Sequence, residues 1–305
     1  MGLNEYILSG SSKMKFSLMD RRTFIKSSVA VPAAIGVFAG CEPETEPEAE
    51  APETASTRSL ERIGVQLYTV RYLLESDYEG TLRAVADAGY DEVETVWDAE
   101  RDPDDIRALL DELGLAAPST HVPIEALRTN LPTVIDASQR LGHSYIVCPW
   151  LAEDERTMAH YRDHVALFNE VGAACQEVGI QFAYHNHEFE FESNDDGVIP
   201  YDFMLDETDP ELVKMELDLY WIAYANRSIS EYFQRDPGRY PLCHVKDMGP
   251  DRGMTPVGEG QIGFAAIFAE SETAGLRHYF VEHDHPEDAL ASIQTSIAHL
   301  RSLTF

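Results

Sequence analysis

Short β-rich runs alternate with amphipathic helical runs eight times along the chain, and no other feature constrains the fold as strongly. Eight β/α units in about 240 residues match the size of a (β/α)8 barrel. No glycine-rich phosphate fingerprint occurs, which argues against a Rossmann fold. We therefore predict an α/β protein with a TIM-barrel architecture. The strand candidates are residues 63–68, 92–96, 117–121, 144–148, 180–185, 213–218, 241–245 and 278–282.

The segments between these strands have helical periodicity, and several of them end in glycine. Glycine can adopt the left-handed conformation that turns a chain from a helix back into a sheet. The closing glycines are Gly89, Gly114, Gly142, Gly179 and Gly275. Helical runs are predicted at residues 78–89, 103–113, 130–141, 156–178, 264–274 and 287–302, and the connections after the fifth and sixth strands are less regular.

The first 41 residues resemble a twin-arginine export signal. Arg21 and Arg22 are followed by Phe24, and then by an apolar run, residues 29–39, that is too short to span a membrane. The run ends in Phe38-Ala39-Gly40-Cys41, which resembles a lipobox with phenylalanine in place of the usual aliphatic residue. We expect export by a Tat-type route to the periplasmic or outer cell-surface side, with a lipid anchor on Cys41. An N-terminal helix of a cytosolic protein is the alternative interpretation.

Residues 42–60 are predicted to be a disordered acidic linker, followed by a catalytic domain over residues 61–305. Residues 42–57 contain six glutamates, three prolines and no basic residue, so this segment cannot bury apolar area. The whole chain has 54 acidic against 23 basic residues and a formal net charge of −31. Such a chain repels nucleic acid and anionic lipid, so neither is an expected partner and membrane contact is expected only through the lipid anchor.

The cysteines do not form a pattern typical of structural zinc sites, because no CxxC pair occurs. Cys148 and Cys243 lie in strand-like runs, and Cys175 lies in a helical run. We expect these three to be buried free thiols.

Polar residues gather at the ends of the predicted strands, where this architecture places its chemistry. Charged groups inside a barrel are costly, so each needs a reason to be there. Alternate strand residues share a face, so His185 and His187 point the same way, as do His244 and Lys246. The residues are Glu94 on strand 2, His121 on strand 3, His185, Asn186 and His187 on strand 5, Asp218 on strand 6, His244, Lys246 and Asp247 on strand 7, and Glu282, His283 and Asp284 on strand 8.

Imidazoles and carboxylates from strands 5 to 8 are therefore expected to converge on one divalent metal ion. Mixed nitrogen and oxygen ligands suit Mn²⁺, Zn²⁺, Fe²⁺ or Co²⁺ better than Ca²⁺. Among these, Mn²⁺ is our first choice.

At these residues the chain resembles the xylose-isomerase-like TIM-barrel superfamily, which contains the sugar phosphate isomerases and epimerases. The resemblance covers the domain from Ile63 to Leu303 and does not specify one substrate. The segments that carry it are IGVQLYTVR (63–71), FAYHNHEFEF (182–191), MELDLYW (215–221), PGRYPLCHVKDM (237–248), PVGEGQIGF (256–264) and YFVEHD (279–284).

The resemblance implies the identity of the ligands. Metal-dependent members of the superfamily take Glu, Asp, His and Glu from strands 5 to 8, which correspond here to Asp218, His244 and Glu282 on the last three strands. His185 stands where the first glutamate is expected, and His187 is the other candidate on that strand. Epimerases of the superfamily use the two glutamates as paired acid/bases, so two-base epimerisation here needs a substitute such as His187 or Glu94.

We expect an enzyme of carbohydrate metabolism, an isomerase or epimerase that acts on a non-phosphorylated sugar or keto-sugar derivative through an enediolate. Glu282, His187 or His185 would take the proton next to a metal-bound carbonyl. Lys246 would stabilise the developing oxyanion or donate a proton. A surface lysine paired with Asp247 is the alternative interpretation of Lys246.

Substrate contacts are predicted for polar and aromatic residues near the strand ends. Glu94 and His121 would hydrogen-bond substrate hydroxyls. Trp97, Trp150 and Trp221 would stack on a sugar ring, with structural packing as the alternative.

Two other functions are consistent with the same residues. One is a lyase, hydrolase or dehydratase acting on a 3-keto-glycoside or an inosose, because strand 5 resembles the histidine-rich strand of inosose dehydratases. The other is a non-catalytic sugar-binding lipoprotein. The oligomeric state is not predicted.

Overall fold

The computed structural model describes residues 57–194 and 197–305. The predicted export signal, the lipobox at Cys41 and most of the predicted linker lie outside the described residues. Arg58 and Leu60, at the end of the predicted linker, belong to the folded part. Arg58 exchanges two backbone hydrogen bonds with Phe305, and Leu60 is buried in the core.

Eight parallel strands close into a barrel, which confirms the predicted (β/α)8 fold. Each strand pairs with its two neighbours in the order β1-β8-β7-β6-β5-β4-β3-β2. Because all strands run in the same direction, all their C-terminal ends meet at one opening. The strands are β1 (Gly64–Gln66), β2 (Glu92–Val96), β3 (Ala116–His121), β4 (Tyr145–Cys148), β5 (Gln181–His185), β6 (Val213–Asp218), β7 (Leu242–Val245) and β8 (His278–Val281).

Helices surround the barrel, and the predicted ones are found within about two residues of their expected ends, except that the run at 264–274 divides into two helices. Short helices that periodicity did not reveal fill the loops at the barrel opening and the connections after β5 and β6. The helices are α1 (Arg71–Ser76), α2 (Tyr78–Ala88), α3 (Pro103–Leu113), α4 (Ile124–Thr129), α5 (Leu131–Leu141), α6 (Met158–Glu177), α7 (Pro200–Glu207), α8 (Leu219–Tyr224), α9 (Ile229–Arg235), α10 (Phe264–Ala269), α11 (Ser271–Ala274) and α12 (Ala289–Ser302). Within residues 57–194 and 197–305, no helix is both long and apolar enough to cross a bilayer.

The helix boundaries follow from local chemistry, as α3 shows. The Asp102 side chain accepts a hydrogen bond from the Asp104 backbone N–H at 3.1 Å, and Pro103 occupies the first turn, where no N–H is needed. Gly114 ends the helix with φ +69°. All five closing glycines named from the sequence have positive φ, which confirms that prediction.

The barrel interior is filled in layers. Its lower part is an apolar cluster formed by Tyr145, Val147, Ala183, Leu242 and Phe280. A Cβ atom on Gly64 would lie 2.4 Å from the Phe280 ring, so glycine is needed at residue 64 for this ring to fill the barrel. Polar residues occupy the inward-facing positions between this apolar cluster and the barrel opening. The three cysteines of the described residues are free and buried, as predicted.

Asp247 fixes the loop that follows β7 at the barrel opening. Its Oδ1 accepts hydrogen bonds from the backbone N–H groups of Met248 and Ile262, and its Oδ2 accepts from those of Gly258 and Gly260, at 2.8–3.1 Å. The same loop contains a two-stranded antiparallel sheet, Asp247–Met248 paired with Met254–Thr255, so the buried carboxylate and this short ladder together fix the loop.

We predict that Asp247→Asn lowers the free energy of unfolding by about 2–4 kcal/mol, because an amide group cannot accept all four hydrogen bonds and leaves buried donors unpaired. Urea unfolding of the variant and the parent chain measures this change. The matched control is Asp251→Asn, at an exposed carboxylate that accepts one hydrogen bond from Gly253 in the same region. Equal stability of the two variants would contradict the anchoring role of Asp247.

Candidate metal centre

Four side chains meet at the barrel opening, one from each of the last four strands or their ends. His185, Asp218, His244 and Glu282 are all buried, and each offers one ligand atom such that these atoms lie within 4.8 Å of one another. The closest pairs are His244 Nδ1 and Glu282 Oε2, at 2.7 Å, and His185 Nε2 and Asp218 Oδ2, at 3.2 Å. We call these four residues the candidate ligand set. The structure thus brings together the residues that the sequence suggested, with His185 rather than His187 as the strand 5 member.

Asp218 is oriented by its position at the end of β6 and the start of α8. Its Oδ1 accepts hydrogen bonds from the backbone N–H groups of Tyr220 and Trp221, both at 2.9 Å, as a helix N-cap does. Asn186 accepts the backbone N–H of Asp218 at 3.0 Å. These contacts direct Oδ2 towards His185 and the centre of the barrel.

His244 lies between two groups of carboxylates. Its Nδ1 faces Glu282, whereas its Nε2 lies 2.8 Å from Glu94 and 3.3 Å from Glu216. His121 Nε2 contacts the same two carboxylates at 3.1 and 2.8 Å. We call Glu94, His121 and Glu216 the lower cluster, because it lies beneath the candidate ligand set on the other side of the His244 ring.

The hydrogen bonds to the two ligand histidines fit a metal ion. His185 Nδ1 lies 3.0 Å from the Pro149 carbonyl oxygen, which only accepts, so Nδ1 carries the hydrogen. In the neutral ring the Nε2 lone pair then faces Asp218 Oδ2, an arrangement that needs a proton or a cation between the two atoms. For His244, an Nε2–H directed at the lower cluster leaves Nδ1 free to ligate, which is how carboxylates support metal-bound histidines.

Lys246 is buried among carboxylates, with only 1% of its surface exposed. Its Nζ lies 3.0 Å from Asp218, 2.7 Å from Glu282 and 2.9 Å from Asp284. The alternative interpretation of Lys246 as a surface lysine paired with Asp247 is therefore wrong, because the Asp247 carboxylate is taken up by backbone N–H groups instead.

The pKa shifts show that the buried charges of the site stabilise one another. Burial alone would raise the pKa of Asp218 and Glu282, but the Lys246 ammonium and the neighbouring histidines outweigh it and hold both pKa values below their usual range. Burial lowers the pKa of His121, yet Glu94 and Glu216 outweigh this effect and raise it to about 9. The pKa of His244 is likewise raised against burial by Glu216 and Glu282.

The balance of charge also fits a divalent cation. Five carboxylates are in contact with Lys246, His121, His185 and His244, which carry at most four positive charges. An excess of at least one negative charge in a barrel interior is costly without a compensating cation. The carboxylates are those of Glu94, Glu216, Asp218, Glu282 and Asp284.

The predicted substrate-binding residues lie at different depths. Glu94 and His121 lie beneath His244, where protein groups already engage their polar atoms. Trp221 lies beside the candidate ligand set, with its ring 5.5 Å from that of His187 and 5.8 Å from Lys246 Nζ. Trp97 packs against the hydrophobic core, and Trp150 lies 5.1 Å from the Arg156 guanidinium. Substrate contact by these five residues stays a prediction.

His187 stands beside the candidate ligand set with its ring 5.1 Å from that of His185. Burial, reinforced by the charges of His185 and Lys246, holds the pKa of His187 well below its usual range, so the imidazole is neutral. Its Nδ1 is buried without a hydrogen-bond partner. A neutral imidazole of this kind can accept a proton.

Two residues of the site were missed in the sequence. Glu216 lies two residues before Asp218 on the same face of β6, and this period-two relation was the available signal. Glu190 is fully buried, and its carboxylate accepts hydrogen bonds from the Tyr184 hydroxyl and, at 2.8 Å, from the His187 backbone N–H. Glu190 therefore fixes the turn that carries His187.

Comparison with known proteins agrees with the fold. A family model described as xylose isomerase-like TIM barrel matches residues 82–303. An inosose dehydratase from Geobacillus kaustophilus (strain HTA426) is 26% identical over 230 residues, which are 62% of this chain and 74% of the relative. A sugar phosphate isomerase/epimerase from Parabacteroides distasonis ATCC 8503 is 24% identical with a TM-score of 0.69, over 84% of this chain and 98% of that structure. The IOLI protein, solved with a bound zinc atom, is 15% identical with a TM-score of 0.63, over 78% and 95% of the two chains.

The buried Glu190 carboxyl predicts a pH dependence of stability. Burial raises its pKa to about 7, against the opposing effect of the hydrogen bonds from Tyr184 and His187. Because the folded pKa lies above the unfolded one, its favourable contribution is present at low pH and is lost as the pH rises through about 7. We predict that the free energy of unfolding of Glu190→Gln, relative to that of the parent, increases by roughly 2–3 kcal/mol when the pH is raised from 5 to 8.

Chemical denaturation at both pH values measures this difference. Glu192→Gln, two residues away at an exposed position, is the control for a general charge effect. A parallel pH dependence of the parent and Glu190→Gln would show that Glu190 does not titrate in this range.

Proposed function

The chain belongs to the xylose isomerase-like TIM barrel family, and we propose that it is a metal-dependent isomerase or epimerase of a non-phosphorylated sugar or keto-sugar derivative. The observation that carries this proposal is the candidate ligand set, in which four buried side chains from consecutive strands present ligand atoms within 4.8 Å of one another. The zinc atom bound by the IOLI protein, which shares the fold, also supports a divalent ion.

The four residues His185, Asp218, His244 and Glu282 would hold the ion. A divalent ion supplies Lewis-acid polarisation of a substrate carbonyl, which acidifies the adjacent C–H. Two nitrogen and two oxygen ligands suit Mn²⁺ first, with Zn²⁺, Fe²⁺ and Co²⁺ as alternatives.

Proton transfer falls to Glu282 and His187. Glu282 is ionised because Lys246 and His244 lower its pKa against burial, so it can take the proton next to the carbonyl and leave an enediolate. His187 is neutral and lies just after β5, three strands away from β8 in the barrel. Removing a proton from one position of the substrate and returning it at another requires a base on each side of the pocket. His185 is less suited, because both its ring nitrogens are engaged.

Lys246 stabilises negative charge on the substrate. Its ammonium lies 2.7 Å from Glu282 and stays protonated, since three carboxylates raise its pKa well above the usual range despite burial. The cation is therefore placed where an enediolate oxygen would develop charge.

A second candidate function is a dehydratase or lyase that acts on an inosose or a 3-keto-glycoside. The protonated Lys246 supports it, because elimination needs one base and one acid for the leaving group, and Glu282 and Lys246 are adjacent. The similarity to an inosose dehydratase supports it as well.

The cellular setting is also a proposal. The twin-arginine motif at Arg21-Arg22 and the lipobox-like Cys41 support export to the periplasmic or outer cell-surface side. Sugar phosphates are scarce outside the cytoplasm, which favours a non-phosphorylated substrate. The net charge of −31 favours a small carbohydrate partner over nucleic acid.

We predict that Asp218→Asn and Glu282→Gln each lose bound metal and at least about 100-fold in turnover, because each removes a charged ligand and Glu282 also the base. Elemental analysis after Mn²⁺ loading and a screen of keto-sugars in D₂O measure both effects. Glu259→Gln, at an exposed carboxylate in the loop after β7, is the matched control. Retention of metal and turnover in both variants would refute the proposal.

The same screen distinguishes the two candidate functions. Deuterium incorporation with no loss of water or of a leaving group indicates an isomerase or epimerase. Release of water or of a leaving group indicates a dehydratase or lyase. A chain that binds sugar without metal would instead be a binding lipoprotein.

We also predict that Glu216→Gln weakens Mn²⁺ binding by about 10–100-fold while the fold is retained, since the His244 ring loses a carboxylate that orients it. Calorimetric titration of the metal-depleted protein measures this change. Ser119→Ala is the control, because Ser119 contacts Glu94 but not His244. Equal metal affinity of the two variants would show that the lower cluster does not support the ion.

A further inference from the structure

Exposed apolar side chains of the described residues concentrate around the barrel opening. Tyr72 is 68% exposed and Tyr68 is 40% exposed, and both lie in the connection between β1 and α2. Of the other large hydrophobic residues that are exposed within residues 57–194 and 197–305, only Val178 lies at the opposite end of the barrel. Those at the opening are Val96, Val198 and Tyr224. Exposed aromatic rings beside a buried polar centre indicate a binding surface rather than random exposure.

The two tyrosine rings are held by one arginine. The guanidinium carbon of Arg71 lies 3.9 Å from the centre of the Tyr68 ring and 4.4 Å from that of Tyr72. The same guanidinium donates to the Tyr68 carbonyl at 2.7 Å and to His285 Nδ1 at 3.3 Å. The ring pair is therefore positioned before any ligand arrives, which reduces the entropy lost on binding.

This ring pair adjoins the candidate ligand set. β1 pairs directly with β8, and His285 lies in the same loop as Glu282 and Asp284. Burial raises the pKa of the Tyr68 phenol, and the charges of Asp284 and Glu282 add to this effect, which shows that the phenol lies within electrostatic reach of both carboxylates.

Arginine-supported rings also line the other side of the opening. Arg252 lies 4.4 Å from the Tyr224 ring, and Arg156 lies 3.4 Å from the Phe189 ring. The opening therefore has aromatic surface on opposite sides of the buried centre. The candidate ligand set is buried, whereas Tyr68 and Tyr72 are exposed, so the ring pair lies further out than a sugar held at the four ligands.

We propose that Tyr68 and Tyr72 form an outer subsite that stacks on a second, non-reacting ring of the substrate. The substrate is then a glycoside that carries a sugar or aryl ring beyond the reacting sugar. This inference rests on the proposed function and extends it, because it assigns the class of substrate and the residues that select it. Flat, amphipathic tyrosine faces suit the apolar face of a ring that also bears hydroxyl groups.

The test compares one-ring and two-ring probes on the Mn²⁺-loaded full chain. The probes are methyl β-glucoside, cellobiose and 4-nitrophenyl β-glucoside, and saturation-transfer NMR titration measures their dissociation constants. We expect Tyr72→Ala and Tyr68→Ala to weaken the binding of the two-ring probes by roughly three- to ten-fold and to leave that of methyl β-glucoside unchanged. Tyr72→Phe keeps the ring and should bind like the parent, as should Val178→Ala at the opposite end.

If the alanine variants bind only cellobiose more weakly than the parent does, the outer ring is a second sugar. If they bind only the nitrophenyl glucoside more weakly, the outer ring is an aryl group. The absence of any difference between one-ring and two-ring probes, including failure of all three to bind, would overturn the proposal. A dimer in light scattering that dissociates in Tyr72→Ala would also overturn it, because the rings would then form an interface between copies of the chain. Metal content and deuterium exchange test the proposed function independently of these results.

Discussion

The imidazole of His244 is held between two groups of buried carboxylates, and the organisation of the barrel interior depends on this contact. Its Nε2 faces Glu94 and Glu216, and its Nδ1 faces Glu282. Carboxylates at this depth are stable only when positive charge or hydrogen-bond donors balance them. His121 and Lys246 provide such balance below and above the ring, and the remaining negative charge is the physical reason to expect a divalent ion.

The parallel barrel produces this arrangement from a simple repeat. On a strand, residues two apart share a face, so one strand end can deliver one polar side chain to a lower level and another to an upper level. Glu216 and Asp218 do this on β6, His244 and Lys246 on β7, and Glu282 and Asp284 after β8. On β6 the deeper residue, Glu216, supports the His244 ring, and the outer residue, Asp218, is a candidate ligand. On β7 and after β8 the deeper residues are themselves candidate ligands, and the outer residues, Lys246 and Asp284, contact each other.

The sequence predicted the eight strands closely, because alternation of buried and polar positions and closing glycines are local signals. It was less informative on the short helices α8 and α9, which are defined by capping at Asp218 and Ser228 and by packing rather than by periodicity. The four candidate ligands were identifiable because each lies at a strand end or within one residue of it. The role of Glu216, the depth of Glu94 and the partners of Lys246 depend on the stagger between neighbouring strands, which a linear pattern does not contain.

The most direct test of this account is the anomalous diffraction of crystals of the Mn²⁺-loaded protein. The account predicts a single anomalous peak roughly 2.0–2.3 Å from His185 Nε2, Asp218 Oδ2, His244 Nδ1 and a Glu282 oxygen, at distances typical of first-row metals. A peak in the lower cluster, or the absence of a peak among the four residues at full metal loading, would contradict the account.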